Sequence, residues 1–150
     1  MSKNILLAGA SGLVGSNLLN ILLKKDSNLI LLSRKKVNTK KEIKQIITSF
    51  DELDRLDNKI PIDTVYIAIG KRLSLIELVY LKKKSRSSFE KVDFEYIKDI
   101  AAFAKRSGAR SLGLISAVGA NKNSLNTYLK VKGKTEEEIM SLGFEKVIIA

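Results

Sequence analysis

The sequence contains no cysteine and no histidine. Without cysteine, the protein has no disulfide framework, no thiol nucleophile and no thiolate metal site. Without histidine as well, catalytic triads of the Ser-His-Asp type and ordinary zinc sites are excluded. Any acid–base chemistry must therefore come from tyrosine, lysine, aspartate or glutamate.

Long apolar runs are also missing. No run approaches the roughly 18 residues that a membrane span needs, and the first residues lead into a strand pattern rather than a secretory leader. We therefore expect a cytoplasmic protein that does not associate with membranes. A chain of 150 residues is the size of one domain, so we expect a single domain over residues 1–150.

Acidic residues are few relative to basic ones. The chain has 27 lysines and arginines against 16 aspartates and glutamates, which gives a formal net charge of +11. Such an excess attracts polyanions or phosphorylated ligands. The lysines are scattered, however, and aromatic residues make up only 6% of the chain, too few for a base-stacking platform. We interpret the excess as a solvated basic surface and keep nucleic acid binding as a minor alternative.

What the sequence does contain is a regular alternation of strand and helix patterns. Short apolar runs predict strands, and apolar residues at helical spacing predict the helices between them. The strands are expected at 4–8, 29–32, 43–48, 63–70, 112–116 and 146–150, and the helices at 14–22, 75–83, 89–104 and 125–142. This alternation predicts an α/β fold, a doubly wound parallel sheet of the Rossmann type. We expect about six strands with helices on both faces, and ligands at the carboxyl ends of the strands.

A glycine-rich turn follows the first predicted strand. Gly9, Gly12 and Gly15 have the spacing G-x-x-G-x-x-G, a variant of the dinucleotide fingerprint G-x-G-x-x-G. Glycines let the backbone bend tightly and approach a pyrophosphate, and the helix N-terminus adds unpaired N–H groups and a positive dipole end. The turn therefore predicts a pyrophosphate site, with a glycine turn that binds no ligand as the alternative.

A basic segment follows the second predicted strand. An NAD-specific site places an acidic residue there for the ribose 2′-hydroxyl, whereas this chain has Ser33, Arg34, Lys35 and Lys36. An arginine suits the 2′-phosphate of NADP, because its guanidinium makes bidentate charge-assisted hydrogen bonds. We predict NADP as the cofactor, with Arg34 and Lys35 as binding residues. NAD as the cofactor, or a merely solvated loop, are the alternatives.

Candidate catalytic residues follow the fifth predicted strand. Tyr128 and Lys132 are four residues apart on the next predicted helix, so their side chains are neighbours. A phenol titrates near pH 10, and a nearby cation favours its phenolate, which makes Lys132 a suitable partner for Tyr128. Ser116 ends the strand, where its hydroxyl could polarise a substrate carbonyl or simply bond to backbone.

These motifs together resemble a known family. The chain is similar to the atypical branch of the short-chain dehydrogenases/reductases, and within it to the NAD(P)H-binding family of Tat-interacting oxidoreductase-like proteins. The resemblance spans nearly the whole chain. It is carried by Gly9-Ala10-Ser11-Gly12-Leu13-Val14-Gly15, the basic segment, Val92-Asp93, Ser116-Ala117-Val118-Gly119-Ala120-Asn121, and Tyr128-x-x-x-Lys132-Gly133 followed by Leu142-Gly143-Phe144.

The resemblance implies a role for each matching residue. The glycine turn, through Gly9, Ser11, Gly12, Leu13, Val14 and Gly15, would line the pyrophosphate, and Arg34 would meet the 2′-phosphate. The stretch Ala68, Ile69 and Gly70 would border the adenosine ribose. Tyr128 would be the acid/base, Lys132 would bind the nicotinamide ribose and lower the pKa of Tyr128, and Ser116 would assist.

The chain departs from the family at two places. Relatives often have an acidic residue near the adenine after the third strand, where this sequence has Thr48-Ser49-Phe50. Members of the family also continue past the sixth strand with an Arg-Pro-Gly segment and a region that closes the substrate site. The sequence ends at Ala150, and we expect this protein to lack that region. The function implied is an NADP-binding oxidoreductase-like protein that transfers hydride to or from a small carbonyl or alcohol. A non-catalytic dinucleotide-binding redox sensor or interaction module is the alternative, and a homodimer stays open.

Overall fold

The structure is a computed structural model that describes residues 2–57, 59–71, 73–79 and 83–150. Its strands form one parallel sheet in the order β3-β2-β1-β4-β5-β6. The bounds are β1 Lys3–Ala8, β2 Ser27–Ser33, β3 Lys44–Ile47, β4 Thr64–Ile67, β5 Ser111–Leu114 and β6 Lys146–Ile149. This is the strand order of the Rossmann fold, so the predicted fold class is confirmed. The order reverses between β1 and β4, which opens a crevice at their carboxyl ends.

Helices cover both faces of the sheet. They are α1 Leu13–Leu22, α2 Leu75–Val79, α3 Lys83–Glu90, α4 Ile97–Arg106 and α5 Thr127–Ser141, with a π-helical segment Lys91–Tyr96 between α3 and α4. Side chains of α1 pack on one face of β1 and β2, and those of α4 and α5 pack on the other face. In the described part of the chain, no helix is long and apolar enough to cross a membrane.

The central strands are apolar throughout because both of their faces are covered. In β1, Leu6, Leu7 and Ala8 are fully buried although alternate side chains point to opposite faces. Leu6 and Ala8 contact the core beneath α4, whereas Leu7 contacts the core beneath α1. The continuous apolar run in the sequence therefore reports a buried parallel strand rather than an amphipathic one.

The long helix before β5 begins earlier than its apolar pattern indicates. We predicted a start at Phe89 and an end near Gly108; the structure has α3 from Lys83 and α4 to Arg106. The first six residues of α3 are polar or basic, so hydrophobic periodicity cannot detect them. Gly108 adopts a left-handed conformation with φ +99°, which terminates the helix.

Other boundaries differ by a few residues. The third strand predicted at 43–48 is confirmed as β3, and the strands predicted at 63–70 and 112–116 are shorter in the structure. Ser116 therefore lies two residues beyond β5 instead of at its end. The short helix predicted at 75–83 is present over α2, whereas residues 80–82 of that prediction lie outside the described residues.

Candidate functional site

Two adjoining clefts lie at the carboxyl ends of β1, β4 and β5. The wide cleft has a volume of about 500 Å³ and the narrow cleft about 160 Å³, and the two share Gly12 and residues 68–70. The wide cleft is lined by the predicted site residues Gly12, Leu13, Val14, Ala68, Ile69, Gly70, Ser116, Tyr128 and Lys132. The narrow cleft is lined by Gly9, Ser11, Gly12, Arg34 and again residues 68–70. Most of the predicted residues thus meet along one continuous groove.

The three glycines of the turn serve different purposes. Gly9 has φ +93°, and a Cβ there would lie 2.5 Å from the Ala68 carbonyl oxygen. A Cβ on Gly15 would lie 1.9 Å from the carbonyl oxygen of Gly9, so α1 can pack against the turn only without a side chain at this position. At Gly12 the nearest such atom is at 3.4 Å, an ordinary contact. The fold needs Gly9 and Gly15, whereas a Cβ at Gly12 would meet only ordinary contacts within the protein, and Gly12 lines both clefts.

The N-terminus of α1 lies at Gly12, where the two clefts meet. Gly12 is its N-cap, and no side chain caps the helix there. The backbone N–H groups of the first helical turn have no partner within the helix, and the turn carries no acidic residue that would repel an anion. The side chain of Leu13 is exposed beside them. Unpaired N–H groups, a positive dipole end and a glycine backbone fit a pyrophosphate group.

Arg34 and Lys35 lie on different sides of Ser11. Arg34 directly follows β2 and lines the narrow cleft, with its guanidinium 5.8 Å from the centre of the Phe50 ring. Lys35 instead lines a separate groove between α1 and the loop after β2. Ser11 borders both. Both basic residues were predicted to bind the cofactor, and the structure places only Arg34 in the narrow cleft.

The narrow cleft has an aromatic floor that the sequence did not reveal. Phe50 and Tyr96 pack edge to face with their ring centres 5.4 Å apart. The Tyr96 hydroxyl donates a hydrogen bond to Asp51 at 3.0 Å, and Lys91 contacts the same carboxylate at 2.9 Å. The hydrogen bond from Lys91 is the main reason that the pKa of Asp51 is lowered. An acidic residue, Asp51, thus follows the stretch 48–50 directly, but its carboxylate is bonded to Tyr96 and Lys91 and it is not among the residues that line the narrow cleft.

Tyr128 and Lys132 lie side by side on α5, as their spacing predicts. The Lys132 ammonium is 5.9 Å from the centre of the Tyr128 ring. The ring of Phe89 also packs against Tyr128, stacked on it with the two ring centres 5.4 Å apart. Asn126 caps α5 by accepting a hydrogen bond from the Leu129 N–H. The tyrosine is half-buried, and its ring contacts both an aromatic side chain and a cation.

Asp93 lines the wide cleft, although it was named from the sequence only for the family resemblance and was given no role in the site. Its carboxylate forms a buried ion pair with the Lys132 ammonium at 2.5 Å. It also accepts a hydrogen bond from the Lys71 N–H, and its carbonyl accepts one from the Thr135 hydroxyl. A buried charge requires such partners. The sequence does contain a signal for this residue. Asp93 falls among the apolar positions of the helical pattern, whereas a solvated aspartate would fall on the polar face.

Ser116 has a partner that was also missed. Its hydroxyl donates a hydrogen bond to the Glu136 carboxylate at 2.5 Å, and its backbone N–H donates to the Ala150 carbonyl. Glu136 lies on α5 four residues after Lys132, which continues the spacing that begins at Tyr128. That repeated spacing of four was the signal that could have identified Glu136.

Comparisons with known proteins identify a matching family and similar proteins. Residues 5–119 match the profile of the NAD dependent epimerase/dehydratase family. The chain is 28% identical to Protein FMP52, mitochondrial, of Kluyveromyces lactis, over 97% of this chain and 64% of that protein. It is 28% identical to Protein HTATIP2 of Rattus norvegicus, over 99% of this chain and 61% of that protein. The chain therefore spans less than two thirds of the length of these relatives.

Solved structures share the fold at low identity. The UDP-Glc/GlcNAc 4-epimerase of Campylobacter jejuni has a TM-score of 0.77 at 14% identity, covering 99% of this chain and 53% of that chain. The Bordetella bronchiseptica enzyme WbmH in complex with NAD+ has a TM-score of 0.74 at 11% identity, covering 99% of this chain and 56% of that chain. At such identities the likeness shows the fold alone.

The relatives correct one expectation and support another. The expected cytoplasmic location is wrong by this comparison, because the FMP52 proteins of Kluyveromyces lactis, Debaryomyces hansenii and Candida albicans are all named mitochondrial. The sequence patterns on which that expectation rested do not distinguish the two compartments. A nicotinamide dinucleotide is the cofactor class that the matching family supports. The match covers most of the chain, and the protein belongs to the NAD dependent epimerase/dehydratase family.

Proposed function

We propose that this protein binds NADP(H) along the two clefts and transfers hydride to or from a small carbonyl or alcohol. One observation carries the proposal. The open backbone at Gly12, the guanidinium of Arg34 and the Tyr128–Lys132 pair all border clefts that share Gly12 and residues 68–70. A dinucleotide is an elongated ligand with a central pyrophosphate, and this groove offers a distinct environment for each of its parts.

The residues that would hold the cofactor follow from their positions. The pyrophosphate would lie against Gly12 and the first N–H groups of α1, where a side chain on residue 12 would block it. The 2′-phosphate would pair with Arg34 in the narrow cleft, and residues 68–70 would border the ribose. Lys132 would bind the second ribose in the wide cleft. The nicotinamide, when bound, supplies or takes the hydride.

Tyr128 would move the proton in this reaction. Its phenol oxygen would donate a proton to a substrate oxygen in reduction and accept one in oxidation. Lys132 would favour the phenolate through its positive charge. Asp93 would act as a positioning residue, because its carboxylate fixes the ammonium of Lys132 on the side of α5 that faces the wide cleft.

A second candidate function is dinucleotide binding without turnover, as a redox sensor or an interaction module. It is favoured by the polar groups of the wide cleft, since Ser116 is bonded to Glu136 and Lys132 to Asp93 within the protein itself. Under this proposal the protein would bind the dinucleotide with the same residues. It would show no oxidation of NADPH with any substrate.

A titration of the purified protein with NADPH and NADH tests the proposal. One charge-assisted interaction at the 2′-phosphate is worth roughly 1.5–3 kcal/mol, so we expect NADPH to bind about tenfold to a hundredfold more tightly than NADH. Equal affinity for the two would refute the NADP preference and leave only the dinucleotide site. Lack of binding by both would refute the proposed function.

A further inference from the structure

Ser116 is held in the wide cleft by one side-chain and one backbone hydrogen bond. Its hydroxyl lies 2.5 Å from the Glu136 carboxylate, and its N–H donates to the Ala150 carbonyl at 2.7 Å, which anchors the residue to the end of β6. Glu136 lies eight residues after Tyr128 and four after Lys132, so all three side chains project from one side of α5.

The direction of the hydrogen bond determines what Ser116 can offer to a ligand. A serine hydroxyl has a single proton, and an ionised carboxylate can only accept hydrogen bonds. The proton of Ser116 is therefore committed to Glu136. Hydrogen bonds from a hydroxyl to a carboxylate are short and roughly twice as strong as those between neutral groups. A neutral carbonyl oxygen in the cleft would not compete for this proton.

We propose that Glu136 is a positioning residue that makes Ser116 a hydrogen-bond acceptor in the wide cleft. The group of the substrate that meets Ser116 is then a donor, such as a hydroxyl other than the one whose proton passes to Tyr128, rather than a carbonyl oxygen. This reverses the role predicted for Ser116 from the sequence. The inference rests on the proposed function, because it concerns the substrate end of the same site.

Two unreactive probes of similar size separate donor from acceptor recognition. With NADP+ bound, 1-methylcyclohexanol cannot be oxidised because its carbinol carbon carries no hydrogen, and cyclohexanone has no reductant. Binding of each probe to the NADP+-saturated protein is measured by ligand-observed NMR titration. We expect the alcohol to bind more tightly than the ketone, by about threefold to tenfold for one hydrogen bond.

Variants of Glu136 test whether this preference depends on its carboxylate. Glu136→Leu removes the acceptor at similar volume and should abolish or reverse the preference for the alcohol. Glu136→Gln keeps an oxygen at the same distance along the side chain and should retain much of the preference. Glu137→Leu is the matched control, because Glu137 is the neighbouring exposed carboxylate and pairs with Lys122 on the surface. It should leave both probe affinities unchanged.

A double-mutant cycle separates positioning from a general structural effect. Ser116→Ala should weaken alcohol binding, and adding Glu136→Leu to it should cause no further change, because Glu136 acts only through the serine hydroxyl. Thermal unfolding of each variant verifies that the fold is retained.

Three results would overturn the inference. These are no binding of the alcohol to the NADP+-loaded protein, an unchanged preference in Glu136→Leu, and an equal effect of that substitution with and without the Ser116 hydroxyl. Failure of the protein to bind NADP+ would refute the proposed function and this inference with it. Dinucleotide binding with an unaltered probe preference would refute the inference alone.

Discussion

The carboxylate of Asp93 and the ammonium of Lys132 form an ion pair at 2.5 Å, with side chains that are 1% and 8% exposed. The pair joins the π-helical segment to α5 and lines the wide cleft. A π-helical turn inserts one extra residue into a helix and is frequent at functional sites. Both charges are withdrawn from water, so neither is tolerable without the other.

We expect each half of this pair to depend on the other for stability. Asp93→Asn and Lys132→Met should each lower the free energy of unfolding by about 3–5 kcal/mol, because each leaves an uncompensated buried charge. The double variant Asp93→Asn/Lys132→Met should be more stable than the sum of the two losses indicates. Urea unfolding of the four proteins measures this coupling.

A surface pair provides the matched control for this experiment. Arg110 and Glu145 form an ion pair at 2.7 Å with both side chains largely exposed. Glu145→Gln should change the free energy of unfolding by less than about 1 kcal/mol. Strictly additive losses at Asp93 and Lys132 would show that the two charges do not depend on each other.

The glycine turn gives a prediction that separates binding from folding. Gly12→Val should abolish dinucleotide binding while the fold is retained, because a side chain there meets only ordinary contacts within the protein. Gly15→Ala is a smaller change, yet its Cβ would lie 1.9 Å from the Gly9 carbonyl oxygen and should destabilise the fold. Circular dichroism, thermal unfolding and an NADPH titration on both variants measure the two effects.

The opposite pattern would contradict this assignment. Retained NADPH affinity in Gly12→Val would place the pyrophosphate elsewhere on the protein. An unaltered melting temperature in Gly15→Ala would show that the turn and α1 can separate without cost.

The sheet and its helices could be predicted because their signals are local. Continuous apolar runs indicate buried parallel strands, and the strand–glycine–helix order fixes where a dinucleotide can bind. The neighbouring positions of Tyr128 and Lys132 on α5 could be predicted for the same reason, since a spacing of four places neighbours on one helix face. Each of these inferences uses residues that are close together in the chain.

Asp93 and Glu136 were missed because their importance depends on distant partners. Asp93 pairs with a residue 39 positions away, and Glu136 with one 20 positions away. In the sequence, an acidic residue on a helix is typical of a solvated face. The packing of the π-helical segment against α5, and of α5 against the residues after β5, brings these carboxylates to their partners.

The position of Arg34 predicts which cofactor binds more tightly. Arg34→Ala should weaken NADPH binding about tenfold to a hundredfold and change NADH binding by less than about twofold, since only NADPH carries the 2′-phosphate. Lys35→Ala is the matched control, because Lys35 lines the neighbouring groove instead of the narrow cleft. Equal losses of NADPH affinity in the two variants would show that both cations contact the phosphate.

Tyr128 is the residue on which turnover should depend. Tyr128→Phe keeps the stacking on Phe89 at 5.4 Å and removes the hydroxyl. Because a positioned proton donor contributes about a hundredfold to ten-thousandfold, we expect the loss of at least a hundredfold in kcat with NADPH binding retained. Lys132→Ala should reduce NADPH binding and turnover together, since Lys132 would bind the ribose and also stabilise the phenolate.

The measurement is oxidation of NADPH against a panel of aldehydes, ketones and quinones. Tyr66→Phe serves as the control, because Tyr66 lies on β4 beside Gly113 and lines neither cleft. If Tyr128→Phe retains the turnover of the unchanged protein, the proton must come from another group and the role proposed for Tyr128 is refuted. If no member of the panel is reduced although NADPH binds, the dinucleotide-binding module is the better description of this protein.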